Sequence, residues 1–298
     1  MSKTKINKIL IPVDFSETSE IVMAEAIMLA KLLKAEVHLI HVIEFKGYYF
    51  AVIPETQTIL PSYPELEKAV EKKMEELLEK IKNKFAISPE IFITSGNVDS
   101  EIINFSKEKK FDLIVMGTHG TSGFNELFLG SNAQRVVTLS DVPVLTMQSK
   151  LKHSGFKNIL IPIDNSLHSR EKVNMAMLIA NVYGATLHII GLPDSGDMEV
   201  LNKINIKIES VEKIIINDNL PHKTTIVHDK NLAEDALKYA EENNCDLIVI
   251  NTGHESKLTG IFLGAFAQQI VNHSKIPVLS IKHAEGYLSI DTPGFGIG

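Results

Sequence analysis

The 298-residue chain contains no tryptophan and a single cysteine, Cys245. One thiol excludes an internal disulfide. Its setting, "NNCDLIVI", opens an aliphatic run, where a free thiol serves as a small buried hydrophobe rather than a redox group. No stretch approaches the roughly 18 consecutive apolar residues of a membrane span. The apolar run near the basic N-terminus, "MSKTKINKILIPVD", is too short for a secretory signal. The expected location is therefore the cytoplasm, with no membrane partner. The formal net charge of −7 gives no electrostatic reason to expect nucleic acid. Neither a P-loop G-x4-G-K-[ST] nor a dinucleotide G-x-G-x-x-G is present, so both common phosphate loops are excluded.

What is present is the same pattern twice. "KILIPVDFS" at 8–16 returns as "NILIPIDNS" at 158–166, and "EVHLIHV" at 36–42 returns as "TLHIIGL" at 186–192, both at an offset of 150. "FDLIVM" at 111–116 returns as "CDLIVI" at 245–250, "LFLGS" at 127–131 as "IFLGA" at 261–265, and "VPVLTM" at 142–147 as "IPVLSI" at 276–281. The offset has by then fallen from 150 to 134, so the second copy lacks 16 residues after its second strand. The domains expected are 1–149 and 150–285, followed by a tail at 286–298.

Each copy alternates aliphatic strands with amphipathic helices. In the first, Asp14 and the candidate N-cap Ser16 precede a helix with Val22, Ala26, Leu29 and Leu33 on one face. Leu66, Val70, Met74, Leu77 and Ile81 mark a second, surface helix. Strands that are aliphatic on both faces and alternate with helices indicate an α/β fold, a parallel sheet covered on both sides. Such sheets bind ligands at the carboxyl ends of strands where the strand order reverses. The loops after the first and fourth strands meet that requirement.

The loop after the fourth strand, "MGTHGTSGFNELFLGS" at 116–131, spaces Gly117, Gly120, Gly130 and Ser131 as G-x2-G-x9-G-S. Glycine permits positive φ and close backbone approach, and Gly130-Ser131 precede a helix whose first N–H groups suit a phosphate. The second copy places Asn251, His254, Gly264 and Ala265 at these positions, with Glu255 in the loop. The fold therefore does without Gly117 and Gly120 there, and ligand contact is the better account of them.

With "ILIPVDFSETS", "LIHV", the G-x2-G-x9-G-[ST] loop and "VPVLTM", the chain resembles the universal stress protein family over essentially its whole length, as two tandem domains. That resemblance implies five parallel strands per copy in the order 3-2-1-4-5, Rossmann-like, with helices on both faces. It also implies adenine-nucleotide binding, since many members bind ATP. Asp14 looks like the acidic group near the ribose or the phosphate–metal region, and Val13 and Val42 like strand-end contacts to the nucleoside. Gly117, Gly120, Gly130 and Ser131 look like a triphosphate cradle, with Asn132 adding an N–H. Mg2+ would arrive with the triphosphate. Asp164 persists in the second copy but the glycines do not, so weak or absent ATP binding is expected there. The family also pairs domains through the last strand, which implies an internal pseudo-dimer and leaves a homodimer open.

Other candidates remain double-edged. His38 and His41 lie three apart on one strand and so point to opposite faces. His119 either approaches phosphate or sits exposed, and Arg135 either reaches the ligand or pairs with a carboxylate. Residues 45–63, apolar and long for a connection, are a lid, a contact surface or an irregular packed segment. The functional reading is a stress-response regulator that binds ATP. A weak ATP-hydrolysing enzyme and a nucleotide-independent interaction module are the alternatives.

Overall fold

The structure, a computed structural model, describes residues 5–44, 63–118, 129–148, 151, 155–166, 172–227, 231–252, 254–256 and 260–282. The first copy runs β1 (Lys8–Pro12), α1 (Glu17–Leu33), β2 (Glu36–Glu44), α2 (Tyr63–Phe85), β3 (Glu90–Gly96), α3 (Val98–Glu108), β4 (Leu113–Gly117), α4 (Ser131–Leu139) and β5 (Val144–Met147). The second runs β6 (Asn158–Ile163), α5 (Val173–Tyr183), β7 (Thr186–Gly191), α6 (Met198–Asn217), β8 (His222–Ile226), α7 (Leu232–Glu242) and β9 (Leu247–Thr252). A small hairpin of β10 (His254–Ser256) and β11 (Gly260–Phe262) follows, then α8 (Ala265–His273) and β12 (Val278–Lys282).

The strands form one ten-stranded sheet, β3-β2-β1-β4-β5-β12-β9-β6-β7-β8. Each half has the expected order 3-2-1-4-5, and the halves meet where β5 pairs antiparallel with β12. Every other pairing in this sheet is parallel. The internal pseudo-dimer is thus a strand pairing, with Leu145 opposite Leu279. Side chains reinforce the seam: Thr146 Oγ1 donates to the Val278 carbonyl at 3.2 Å and Gln148 Nε2 to the Ser274 carbonyl at 2.7 Å. Lys282 Nζ lies 2.8 Å from Asp141 Oδ1. Together with Lys107 at 3.2 Å, this holds the Asp141 carboxyl below its usual range.

The strands are apolar on both faces because both are covered. Ile9, Ile11, Leu113 and Val115 lie in one core with residues of α1 and α2, and Leu10, Ile114 and Met116 lie in the other with residues of α3 and α4. The first of these cores takes in α5 and α6 as well, so it runs through both copies. Burial, with Glu25 of α1 nearby, pushes the Tyr183 hydroxyl up to about 12. The repeated Asp of "FDLIV" and "CDLIV" has a structural task. Asp112 accepts from the N–H groups of Asn7 and Lys8 at 2.7 and 3.0 Å, and Asp246 accepts from those of Lys157 and Asn158 at 2.8 and 3.1 Å. Each tethers the start of its copy's first strand.

Among the described residues, the joint between copies has a backbone requirement at Gly155. Gly155 has φ +95°, and a Cβ there would lie 2.0 Å from the Tyr183 ring. Tyr183 is in turn packed edge-on against Phe156 at 5.3 Å. Gly155→Ala therefore meets both a disfavoured φ and a half-buried, packed ring, and is expected to cost about 3 kcal/mol. Chemical denaturation should show a lower midpoint with an unchanged slope. An unaffected midpoint would mean that the ring and loop move apart freely.

Candidate functional site

Parallel pairing places the carboxyl ends of β1, β2 and β4 side by side, with β1 between the other two. The chain leaves β1 toward β2 and returns through β4 on the opposite side, so the mouth is a point of strand-order reversal. Val13 is buried there, and its N–H donates to the Ile40 carbonyl at 2.9 Å. Val42 is half-buried near the end of β2. Asp14 Oδ1 accepts from the Ser16 N–H at 3.0 Å and the Ser16 hydroxyl at 2.6 Å. Ser16 caps α1 by accepting from the Ser19 N–H at 3.1 Å. The second copy repeats both Asp–Ser contacts: Asp164 Oδ1 accepts from Ser166 N at 3.0 Å and from its Oγ at 2.6 Å. Asp14 is therefore part of a loop common to both copies, whatever else it does.

On the β4 side, Gly117 ends the strand opposite Met147. The Gly130 N–H donates to the Thr118 carbonyl at 2.7 Å, returning the chain to the strand end just before α4. Gly130 caps α4 without a side chain, and the helix begins at Ser131, which is exposed. The first N–H groups of α4, those of Ser131, Asn132 and Ala133, have no intrahelical acceptor. Gly120 and His119 lie outside the described residues. The conformational reason expected for the glycines needs correction. Gly130 has φ −58°, as does Gly264 in the second copy, and Gly117 has no positive φ. Absence of a Cβ at the mouth, not a left-handed backbone, is what distinguishes Gly117.

Three residues absent from the expected set complete this end of the first copy. Phe15 has φ +61°, a conformation unusual for a bulky side chain. Its ring lies 4.7 Å from that of His41, and Lys73 Nζ of α2 sits over it at 5.3 Å. His41 Nδ1 lies 2.7 Å from the Val13 carbonyl and so carries the proton donated there. Burial lowers the His41 pKa despite that bond. The signal for Lys73 was available in the repeat. The apolar series Val70, Met74, Leu77 and Ile81 of α2 matches Ile204, Ile208, Val211 and Ile215 of α6 at an offset of 134, which pairs Lys73 with Lys207. Lys207 Nζ donates to the carbonyls of Asp164 and Ser166 at 3.1 and 2.7 Å. Both surface helices thus deliver a cation to the loop after the first strand.

His38 and His41 face opposite sides of the sheet. His38 packs against Phe111 and Phe92 at 5.0 and 6.0 Å, away from the Phe15 stack. Its ring nitrogens face Glu90 at 3.3 Å and Glu36 at 3.6 Å. Arg135 pairs with Asp99 at 3.5 Å; the Asp99 side chain is 4% exposed. Cys245 is buried, and desolvation pushes its thiol up to about 12, which removes nucleophilic character. Residues 45–62 and the tail 283–298 lie outside the described residues.

The universal stress protein family matches the sequence twice, over residues 5–148 and 155–282. The chain belongs to the universal stress protein family. Universal stress protein YxiE of Bacillus subtilis (strain 168) is 34% identical over 150 residues, covering 48% of this chain and 99% of the relative. Universal stress protein MJ0577 of Methanocaldococcus jannaschii is 32% identical over 157 residues, covering 48% of this chain and 95% of the relative. Each therefore corresponds to about one copy. The crystal structure of a universal stress protein from Archaeoglobus fulgidus DSM 4304 matches both copies with a TM-score of 0.73, covering 95% of this chain and 98% of that one. At 24% identity this likeness is one of fold. No helix among the described residues is long and apolar enough to cross a membrane.

The site geometry has a pH consequence. A lowered native His41 pKa means that the unfolded chain binds the proton more readily below 6.5, the ordinary imidazole value. Stability is then fully present above that value and declines as pH falls through it. His188 behaves in the same direction, so the difference between wild type and His41→Gln isolates the first copy. Thermal unfolding from pH 7.5 to 5 should show a smaller loss for His41→Gln. Identical profiles would remove His41 from the linkage.

Proposed function

We propose that this universal stress protein is an ATP-binding regulatory module whose nucleotide is held by the first copy. The observation that carries the reading is the convergence at one strand-order reversal of Val13, Asp14, Val42, Gly117 and the uncapped start of α4 at Gly130, Ser131 and Asn132. Family membership supports an adenine nucleotide as the ligand. The strand ends suit a nucleoside because Val13 and Val42 are apolar and partly enclosed. The α4 N–H groups and the Ser131 hydroxyl suit a terminal phosphate, reinforced by the helix dipole. Gly120 belongs to the same proposed cradle by its place in the sequence.

Asp14 spends one carboxylate oxygen on Ser16. Its second oxygen fits either a ribose hydroxyl or a Mg2+ ion bridging phosphates, and such an ion would neutralise phosphate charge. Asp14 alone is too few ligands for a resident metal, so Mg2+ would come with the nucleotide. Arg135 is engaged by Asp99, which favours retention of the nucleotide over phosphoryl transfer. Such a module works in the cytoplasm, where ATP is available.

Ser131→Glu separates phosphate binding from folding. A carboxylate in the first turn of α4 favours the helix but repels phosphate. Native mass spectrometry with ATP and Mg2+ should show one nucleotide per wild-type chain and none on the variant at the same concentration. The thermal midpoint without nucleotide should be equal or higher. Nucleotide retained by Ser131→Glu, or none bound by wild type at millimolar ATP, would overturn the reading.

A further inference from the structure

The outer surface of the first copy carries a groove that the chemistry of the mouth does not use. It lies between α1 and α2 and has a volume of about 500 Å³, within the range of small-molecule sites. Met23, Leu77 and Ile81 form its buried floor, and Ala24 and the half-buried Phe85 extend the apolar lining. Along α1, Met28 and Leu32 follow Ala24 at four-residue steps and are 46% and 49% exposed, so the apolar strip continues into solvent. The groove belongs to the half of α2 that leads to the start of β3, away from the carboxyl ends of the strands.

Its rim is cationic. Lys80 and Lys84 line the groove, and the ammonium groups of Lys84 and Lys31 lie over the Phe85 ring at 5.2 and 5.8 Å. Glu20 also lines it, and Lys80 lies 3.6 Å from that carboxylate. A helix favours lysine in its last turn, which accounts for Lys31 and Lys84 as charges, but not for the apolar groove they border. The second copy shows that the fold does without this rim. Lys31, Lys80, Lys84 and Phe85 correspond there to Asn181, Ile214, Asp218 and Asn219, and Ile214 packs against the core. Neither the lysines nor the ring is thus a requirement of the helix pair.

We propose that the α1–α2 groove of the first copy binds a fatty-acid anion, with its acyl chain along Met23, Leu77, Ile81 and Phe85 and its carboxylate at Lys84 and Lys80. Charge complementarity selects this occupant. An apolar floor by itself accepts any hydrocarbon, whereas a floor bordered by Lys31, Lys80 and Lys84 favours a chain with one negative end. From Leu77 to Phe85 the helix rises roughly 12 Å, which matches a straight chain of about ten carbons. The site is separate from the proposed nucleotide site and does not rest on it.

The test is calorimetry on the full chain with decanoate as the probe and decanol as its uncharged counterpart. One decanoate should bind per chain, with affinity rising about fourfold for each methylene between octanoate and decanoate, and decanol should bind at least tenfold more weakly. The combined variant Lys80→Ile, Lys84→Asp and Phe85→Asn carries the residues of the second copy and should weaken decanoate at least tenfold. If its thermal midpoint falls, Lys84→Gln, a change at an exposed position, serves the same purpose. No decanoate bound at millimolar concentration, decanol bound as tightly, or decanoate retained by these variants would overturn the proposal. The first of those results would turn attention to an acidic amphipathic helix of a partner as the occupant. Loss of the ATP reading would leave this one intact, because that reading rests on the residues of the mouth.

Discussion

The antiparallel pairing of β5 with β12 is the constraint on which the rest depends. A five-stranded aliphatic sheet with an open final strand exposes a row of backbone donors and acceptors ready to pair with another chain. Joining two copies head to head covers both such edges within one chain and leaves β3 and β8 as the outer edges. The seam is made selective by charge. Lys282 lies against Asp141, whereas the second copy has Lys275 at the position equivalent to Asp141. Two second copies paired in this way would set lysine against lysine, so unlike copies are the favoured partners.

Within that frame, the two mouths share their architecture and differ in their chemistry. The Asp-x-Ser turn after the first strand has the same hydrogen bonds in both copies, and the glycine before α4 and α8 has almost the same backbone angles. Those features belong to the fold. The differences lie in the side chains above it: His41 against Gly191, Phe15 against Asn165, Gly117 against Asn251, Ser131 against Ala265. In the first copy Lys73 rests over an aromatic ring, and in the second Lys207 is bound to loop carbonyls. A cation stacked on a half-buried ring is more readily redirected than one held by two carbonyls. The second loop after its fourth strand also forms a short hairpin, β10–β11, on the way to α8. Duplication thus allows the side chains at the two mouths to differ while the fold beneath them stays the same.

Much of this was legible in the chain itself. The repeat, the alternation of aliphatic strands with amphipathic helices, and the absence of long apolar runs set the α/β class and the tandem organisation, because strand and helix periodicities are local properties. The capping of α1 by Ser16 and the start of α4 at Ser131 were legible for the same reason. What the sequence could not settle is which side chains converge after folding. The approach of Lys73 to Phe15 and the pairing of Arg135 with Asp99 join residues far apart in the chain, and their geometry depends on how helices seat on the sheet. The isolation of the Asn251 amide, buried without a protein partner, is likewise a property of packing density around one strand end, invisible until the neighbours are in place. Local pattern determined the elements and their order; tertiary packing alone decided which polar groups are satisfied and which are left unpaired.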